Sequence, residues 1–181
     1  VLFPGVVIPI TVGRDKSIRL IQEANKGDKT IGVVSQKDSD IEEPSFEDLN
    51  GIGTLAQIVR MLKMPDGSTT AIIQGKKRIE IIESTQTEPF LKAKVSEFKE
   101  IKSEMSAEER SALEESLKDM SLKIISQSPN IPSEAGFAIK NIDSLSFLVN
   151  FVASNMNADV EDKQNLLEIA DLTERCHKVM E

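Results

Sequence analysis

The sequence predicts an α+β fold, with strands in the first part of the chain and helices in the second. Three observations predict it. Up to about residue 100, apolar residues alternate with polar ones or run in short β-branched blocks between Pro and Gly. From Ser106 onward they recur at three- and four-residue steps, the helical period. The charge changes at the same place: Val1–Ser103 holds 15 Lys+Arg and 15 Asp+Glu, whereas Glu104–Glu181 holds 7 and 15, so the whole net charge of -8 lies in the second part. The predicted division is 1–103, β-rich, and 104–181, helical.

Val6–Val12 (VVIPITV) is β-branched and bounded by Pro4-Gly5 and Gly13, which fits a strand. Arg14–Asn25 places Ile18, Leu20 and Ile21 on one side of a helix that Gly27 ends. Thr30–Gln36 (TIGVVSQ) reads as a strand, and Asp38–Gly53 as an acidic loop broken by Pro44 and Gly51. Four further strands follow, at 54–64, 69–75, 77–85 and 90–98. In the last, Phe90, Lys92, Lys94 and Ser96 alternate with Leu91, Ala93, Val95 and Glu97. Pro65 presets the first turn position, Asp66 suits the second and Gly67 accepts positive φ, so Arg60–Arg78 is a hairpin with its tip at Pro65–Ser68. The strand from Lys77 follows Gly75 so closely that a bend or bulge is required there.

Ser106 and Glu109 form an S-x-x-E capping box, after which Leu113, Leu117, Met120 and Ile124 make an apolar stripe. Glu114 with Lys118 and Asp119 with Lys123 are spaced for i,i+4 pairing. SPNIP at 128–132 stops this helix, and Pro132 opens the next. Asp143 is placed to cap a third, with Ile142 and Phe147 as its staple and Leu145, Leu148, Val149 and Val152 as buried positions. Asp159 starts a fourth. Asp171 with Glu174 starts a fifth, carrying Leu172, Cys176, Val179 and Met180 and still running at Glu181.

Composition narrows the function. No apolar run approaches the roughly 20 residues of a membrane span. The opening VLFPGVVIPI lacks the basic region and cleavage site of a secretory leader, and it lacks an initial Met, so it reads as a piece of a longer protein. The single cysteine, Cys176, rules out an internal disulfide. With no Trp or Tyr and no basic excess, the chain lacks the stacking platforms and the field that nucleic-acid binding requires.

Catalytic sets fail on spacing. Gly75-Lys76-Lys77-Arg78 is no phosphate loop: Thr70 stands where the upstream glycine belongs, and the segment lies between strands, so a solvated strand end is expected. His177 and Cys176 are adjacent, about 100° apart on a helix, and one of each cannot make a four-ligand zinc site. No catalytic, cofactor-binding or metal-ligating residue is assigned. Met61, Leu62 and Met64 stand out, because successive strand residues face opposite sides. Either both faces of the hairpin are covered or an adaptable apolar patch is exposed. Arg14, Asp15, Lys16 and Arg19 cluster at the start of the first helix, with Arg19 four residues after Asp15. They are either a solvated face or a polar rim for polypeptide.

Three motifs resemble the amino-terminal domain of the Lon family of ATP-dependent proteases: Pro4 and Pro9 before Val12-Gly13-Arg14 and Ser17; Met61-Leu62 with Pro65-Asp66-Gly67 and then Gly75–Arg78; and DKQNLLEIADLTERCHKVM at 162–180. The resemblance spans essentially the whole chain. It implies a twisted β pseudo-barrel (PUA-like) followed by a small α-helical bundle. It also implies a cytoplasmic, non-catalytic domain that binds unfolded or damaged polypeptide and helps present it to the ATPase ring of a homo-oligomer, usually a hexamer. Met61, Leu62, Met64, Arg14, Asp15, Lys16 and Arg19 are then the candidates for polypeptide contact. Two features of the family pattern are missing: a short strand before the F-P-G segment, and everything after Glu181. The ATP- and Mg-binding module and the Ser-Lys protease domain fall in that missing part, so their roles attach to no residue here. Two other readings compete, a free-standing protein- or ligand-binding adaptor of the same fold and an RNA-binding barrel resting on Lys76, Lys77, Arg78, Lys92 and Lys94.

Overall fold

Backbone pairing in the first half produces one antiparallel sheet in the computed structural model, which describes residues 1–181. Its strands are β1 (Val7–Val12), β2 (Thr30–Val33), β3 (Ile52–Lys63), β4 (Thr69–Gln86) and β5 (Lys92–Glu97). The spatial order is β1-β4-β3-β2, with β5 also on β4. Six helices accompany it: α1 (Asp15–Lys26) after β1, then α2 (Ala107–Gln127), α3 (Glu134–Lys140), α4 (Leu145–Asn155), α5 (Val160–Glu168) and α6 (Leu172–Met180). The mixed α+β class is therefore as the residue periods require.

The strands predicted at 69–75 and 77–85 are one strand, β4. The irregularity foreseen at Gly75 is a bulge within it: Leu55 opposes Lys77 while Ala56 opposes Gly75, which leaves Lys76 extra. The first half of β4 pairs with β1 and the second half with β5, while β3 runs along its other side. Glycine is needed at the bulge because a Cβ there would lie 2.5 Å from the carbonyl oxygen of Phe3. The amino-terminal segment passes under the sheet at this point. Gly5 N–H donates to Gly75 O and Gly75 N–H donates to Val6 O, both at 2.9 Å, and Thr54 Oγ1 donates to Leu2 O at 2.6 Å. Gly5 has φ +83, and a Cβ on it would be 2.7 Å from the Phe147 ring of α4. Leu2 and Phe3 are thereby buried between the sheet and the helices.

The helix starts follow their caps. Ser106 and Glu109 exchange the two capping-box bonds (2.8 and 3.1 Å), and Asp159 and Asp171 accept from Asp162 N–H and Glu174 N–H. The predicted cap at Asp143 is instead Ser144, whose hydroxyl accepts from Phe147 N–H. On α2 the predicted stripe is only half right. Leu117 is buried and Leu113 packs against the core, but Met120 and Ile124 are exposed and Ser121 is buried. Helices α3, α4 and α6 all pack on α2, and its covered side runs through Leu113, Leu117, Ser121 and Ile125. Neither Glu114–Lys118 nor Asp119–Lys123 closes to an ion pair, as is common for solvated helix pairs worth a few tenths of a kcal/mol, roughly.

One cluster of 21 buried residues crosses from sheet to helices, joining Phe3, Ile58 and Ile73 to Leu117, Leu148 and Cys176. Each fully buried aliphatic side chain contributes about 1.5–3 kcal/mol by removal from water.

A polar junction sits beside this apolar core. Arg78, expected at a solvated strand end, is 5% exposed. Its guanidinium donates to Leu167 O (2.9 Å) and Ile169 O (2.7 Å) where α5 gives way to α6, and it lies 4.9 Å from the Phe98 ring centre. Arg175 of α6, 1% exposed, also donates to Ile169 O and pairs with the Glu100 carboxylate. Burial, and then repulsion from Arg175, pull Arg78 down to about 10, still cationic at neutral pH. Ile101 adds backbone bonds to the same corner, its N–H to Ala170 O (2.8 Å) and its O from Leu172 N–H (3.0 Å).

Two outcomes follow for stability. Arg78→Met keeps the stem but strands buried carbonyls, so urea unfolding should show a loss of about 2–4 kcal/mol, and Arg78→Lys should not restore it because one ammonium lacks the planar fork. Asp171 is held below the usual carboxylate range, first by the Ser103 hydroxyl and then by Glu174 N–H. A lowered folded-state value means its stabilisation is complete above the unfolded value and is lost as pH falls through the folded one. Asp171→Asn, which retains an acceptor for Glu174 N–H but does not titrate, should show a shallower fall in melting temperature than the parent between about pH 5 and pH 3.

Candidate functional site

The hairpin β3–β4 turns as its sequence dictates. Pro65-Asp66-Gly67 makes the tip, with Gly67 at φ +88, Gly67 N–H on Met64 O (3.0 Å) and Met64 N–H on Ser68 O (2.9 Å). Asp66 Oδ1 accepts from Ser68 N–H and Oγ at 2.9 and 2.6 Å, which holds its carboxyl below the usual range. The turn is thus rigidly closed by its own side chains.

Three residues lead into it. Met61 is half-buried and packs against the core, Leu62 is half-buried, and Met64 is 43% exposed at the tip. Both predicted alternatives are partly realised: the core takes Met61 and solvent reaches Met64. A second bulge lies just below, between Ile58 and Arg60, and Val59 as the extra residue is 56% exposed. Val59 carries no signal in the sequence, because its neighbours alternate normally and only the register with β4 makes it the odd residue.

Register also brings the two groups of candidates together. Thr69 pairs with Lys63 on one side and Val12 on the other, so the hairpin end lies across two strand spacings, about 10 Å, from the strand that leads into Arg14 and Asp15. Thr11 Oγ1 and Thr70 Oγ1 share a hydrogen bond of 3.2 Å at this end. Arg14, Asp15, Lys16 and Arg19 are all exposed. The proximity expected between Arg19 and Asp15 gives no ion pair; α1 begins at Asp15, and solvent competes for both groups. Lys16 reaches elsewhere, to Glu88 (2.9 Å) and Glu43 (3.8 Å), bracing α1 against the acidic loop and the turn before β5. The Glu88 bond is the main cause that raises Lys16 above its ordinary value.

Beneath α1 lies a groove of about 890 Å³ with a mostly apolar lining, in which Leu20, Ala24 and Ile31 continue from the main core. Glu23 of α1 and Lys92 of β5 pair at its rim (2.8 Å). The predicted alternation of β5 divides accordingly: Ala93 and Val95 border the groove, and Lys94 faces solvent.

The titratable outliers elsewhere are structural. Cys176 is fully buried and burial raises its thiol, the opposite of what a thiolate nucleophile needs, while His177 next to it is exposed. Of GKKR, Lys76 and Lys77 are solvated and Arg78 belongs to the sheet–helix junction.

Comparison with known proteins places this arrangement. The family model described as the ATP-dependent protease La (LON) substrate-binding domain matches residues 1–181. Over 176 residues the chain is 57% identical to a Lon protease of Flavobacterium johnsoniae and 55% identical to one of Cytophaga hutchinsonii, covering 97% of this chain and 22% of each relative. The chain thus spans about a fifth of the length of these curated relatives. Among solved structures, the N-terminal domain of Mycobacterium avium complex Lon protease superposes with a TM-score of 0.77 at 20% identity, covering 99% of this chain and 90% of that one. A Lon N-terminal domain protein from Xanthomonas campestris gives 0.70 at 18% identity, covering 99% and 91%. At these identities the superpositions establish the shared fold.

Proposed function

The chain belongs to the family of Lon substrate-binding domains, and from that premise we propose that it is a non-catalytic module that binds unfolded or damaged polypeptide and helps present it to an ATPase ring. The family match over residues 1–181 carries this reading. The relatives that contain the domain are Lon proteases of which it forms 22%, and this favours a presenting module over a free-standing adaptor. In the same proposal, ATP, Mg and a Ser-Lys protease centre belong to the rest of the full-length protein, which acts as a homo-oligomeric ring in the cytoplasm.

Physical features of the hairpin support polypeptide capture there. The tip is closed by the Asp66–Ser68 hydrogen bonds and Met64 beside it is exposed, so an adaptable thioether is held out at a defined turn. Leu62 gives a partly covered apolar neighbour. Arg14 and Asp15, two strands away, form a charged rim of both signs, which suits clients of varied charge. Each contact is shallow, and several copies in a ring would supply avidity.

The test is binding of this domain to a permanently unfolded, reduced and alkylated protein, beside the same protein folded. The expected result is preference for the unfolded form, weakened about threefold to tenfold by Leu62→Ser or Met64→Ser, in line with the loss of one modest apolar contact. Circular dichroism should show both variants folded. Equal binding of folded and unfolded forms would refute polypeptide capture. Unchanged binding in both variants would move the contact away from the hairpin.

A further inference from the structure

Three strands, β1, β2 and β5, each leave one edge of the sheet free, and the edges of β2 and β5 lie at the groove. β2 pairs only with β3, and β5 pairs only with β4. The alternation of an antiparallel ladder decides which backbone groups each edge leaves over. Ile58 N–H donates to Lys29 O (2.8 Å), so the bonded pairs that follow are Ile31 with Ala56 and Val33 with Thr54. Gly32, opposite Leu55, is at a non-bonded position and turns both N–H and C=O away from β3. At the equivalent position, Thr30 has its N–H taken by Asp28 Oδ1 (3.0 Å). On the other edge, Phe98 N–H donates to Arg78 O (3.0 Å), so Glu80 with Ser96 is a bonded pair and Val95, opposite Ile81, turns its N–H and C=O outward. Gly32 and Val95 are both exposed.

Both edges border the groove under α1. Directly opposed residues share a face, so Gly32 lies on the same side as Leu55, and a Cβ on Gly32 would sit 3.5 Å from Ile79 Cδ1. Leu55, Ile79 and Ile81 form the apolar floor between the two edges. Ile79 is 2% exposed and lies outside the main core cluster, whereas Ile31 in the same lining belongs to it, so the groove opens at the margin of the core.

We infer that an extended apolar polypeptide segment binds here by adding as a strand to the free edge of β2, pairing with the N–H and C=O of Gly32 and laying alternate side chains over Gly32 toward Leu55 and Ile79. The inference rests on the proposed capture of unfolded polypeptide and deepens it by naming a mode of binding. The occupant is a peptide because the edge offers a donor and an acceptor from one residue, which is the complement of another backbone. An apolar small molecule would fill the groove and leave both groups unpaired. Edge strands of four and six residues fit a segment of comparable length, about 13–20 Å. Gly32 carries no side chain to obstruct the approach, and natural sheets seldom leave such an edge beside an apolar surface without covering it.

The test uses a capped octapeptide alternating Leu with Ser, lysine at each end, and a second peptide of identical side chains with alternate backbone nitrogens methylated. The expected result is that the first binds and slows hydrogen exchange at the Gly32 amide about fivefold or more, as one added hydrogen bond should, while the methylated peptide binds at least about fivefold more weakly. Gly32→Pro removes the outward N–H without taking a bond from the ladder with β3, and should weaken the first peptide similarly. Gly32→Ala keeps the N–H and should bind nearly as the parent does. Equal binding of the two peptides, or equal effects of the proline and alanine variants, would overturn strand addition. Should the proline variant fail to fold, the peptide pair on the parent protein decides alone. If the unfolded, alkylated protein binds while the octapeptide does not, the edge inference fails and the capture reading stands. If neither binds, both fail.

Discussion

A cation with no carboxylate of its own holds the two halves of this molecule together. Arg78 leaves the sheet and spends its hydrogen bonds on the carbonyls of Leu167 and Ile169 at the end of α5. Helix carbonyl ends carry partial negative charge, so a guanidinium there is favoured even after desolvation. Arg175 shares the Ile169 carbonyl from the other side and is neutralised by Glu100. The corner therefore holds two buried cations and one carboxylate, with Phe98 covering the surplus charge. The corner holds α5 and α6 on the sheet, and the backbone strap at Ile101 adds to it.

The same end of the sheet explains why the F-P-G segment is built as it is. Phe3 fills the core at 0% exposure, Gly5 takes a conformation closed to other residues and lies against Phe147, and Gly75 lets the Phe3 carbonyl approach. Asn150 of α4 donates to the Pro4 carbonyl from the helical side (3.4 Å). A short segment thus bonds to the sheet at its middle and packs on the helices at its side, joining what Arg78 joins on the opposite flank. Two glycines distant in sequence serve one close approach.

With these contacts fixing the interior, the surfaces suited to polypeptide lie elsewhere on the sheet. The hairpin tip offers one exposed methionine on a rigid turn. The groove offers an apolar floor beside an unpaired backbone edge. They differ in chemistry: the tip can touch any apolar side chain, whereas the edge requires an extended main chain. An unfolded client supplies both, and a folded one hides both. Charge fits this division, since the sheet half carries balanced charge and the acid excess is confined to the helical half. Under the proposed role, a client is neither attracted nor repelled in bulk at the sheet, which leaves selection to exposed apolar and backbone groups.

Local chemistry made much of the molecule legible in the sequence. Alternation marked the strands, Pro65-Asp66-Gly67 marked the hairpin, and Ser106, Asp159 and Asp171 marked helix starts, because each signal acts within about four residues. Even the bulge at Gly75 was visible as a conflict between a glycine and two adjoining strands. The misread features have partners far along the chain. Arg78 looks like any basic residue after a glycine, and its acceptors lie 89 and 91 residues away. Met120 and Ile124 continue a regular helical stripe, but the helices packed on α2, namely α3, α4 and α6, decide which of its sides is inside. Val59 and Gly32 become distinctive only through their register with neighbouring strands, which sets whether a side chain is extra or a backbone group unpaired. The sequence by itself determined which segments are helix and which are strand, since those preferences are settled between near neighbours. The tertiary structure decided which side chains are buried and which edges stay open, since burial and pairing are properties of surfaces that meet only after the chain has folded.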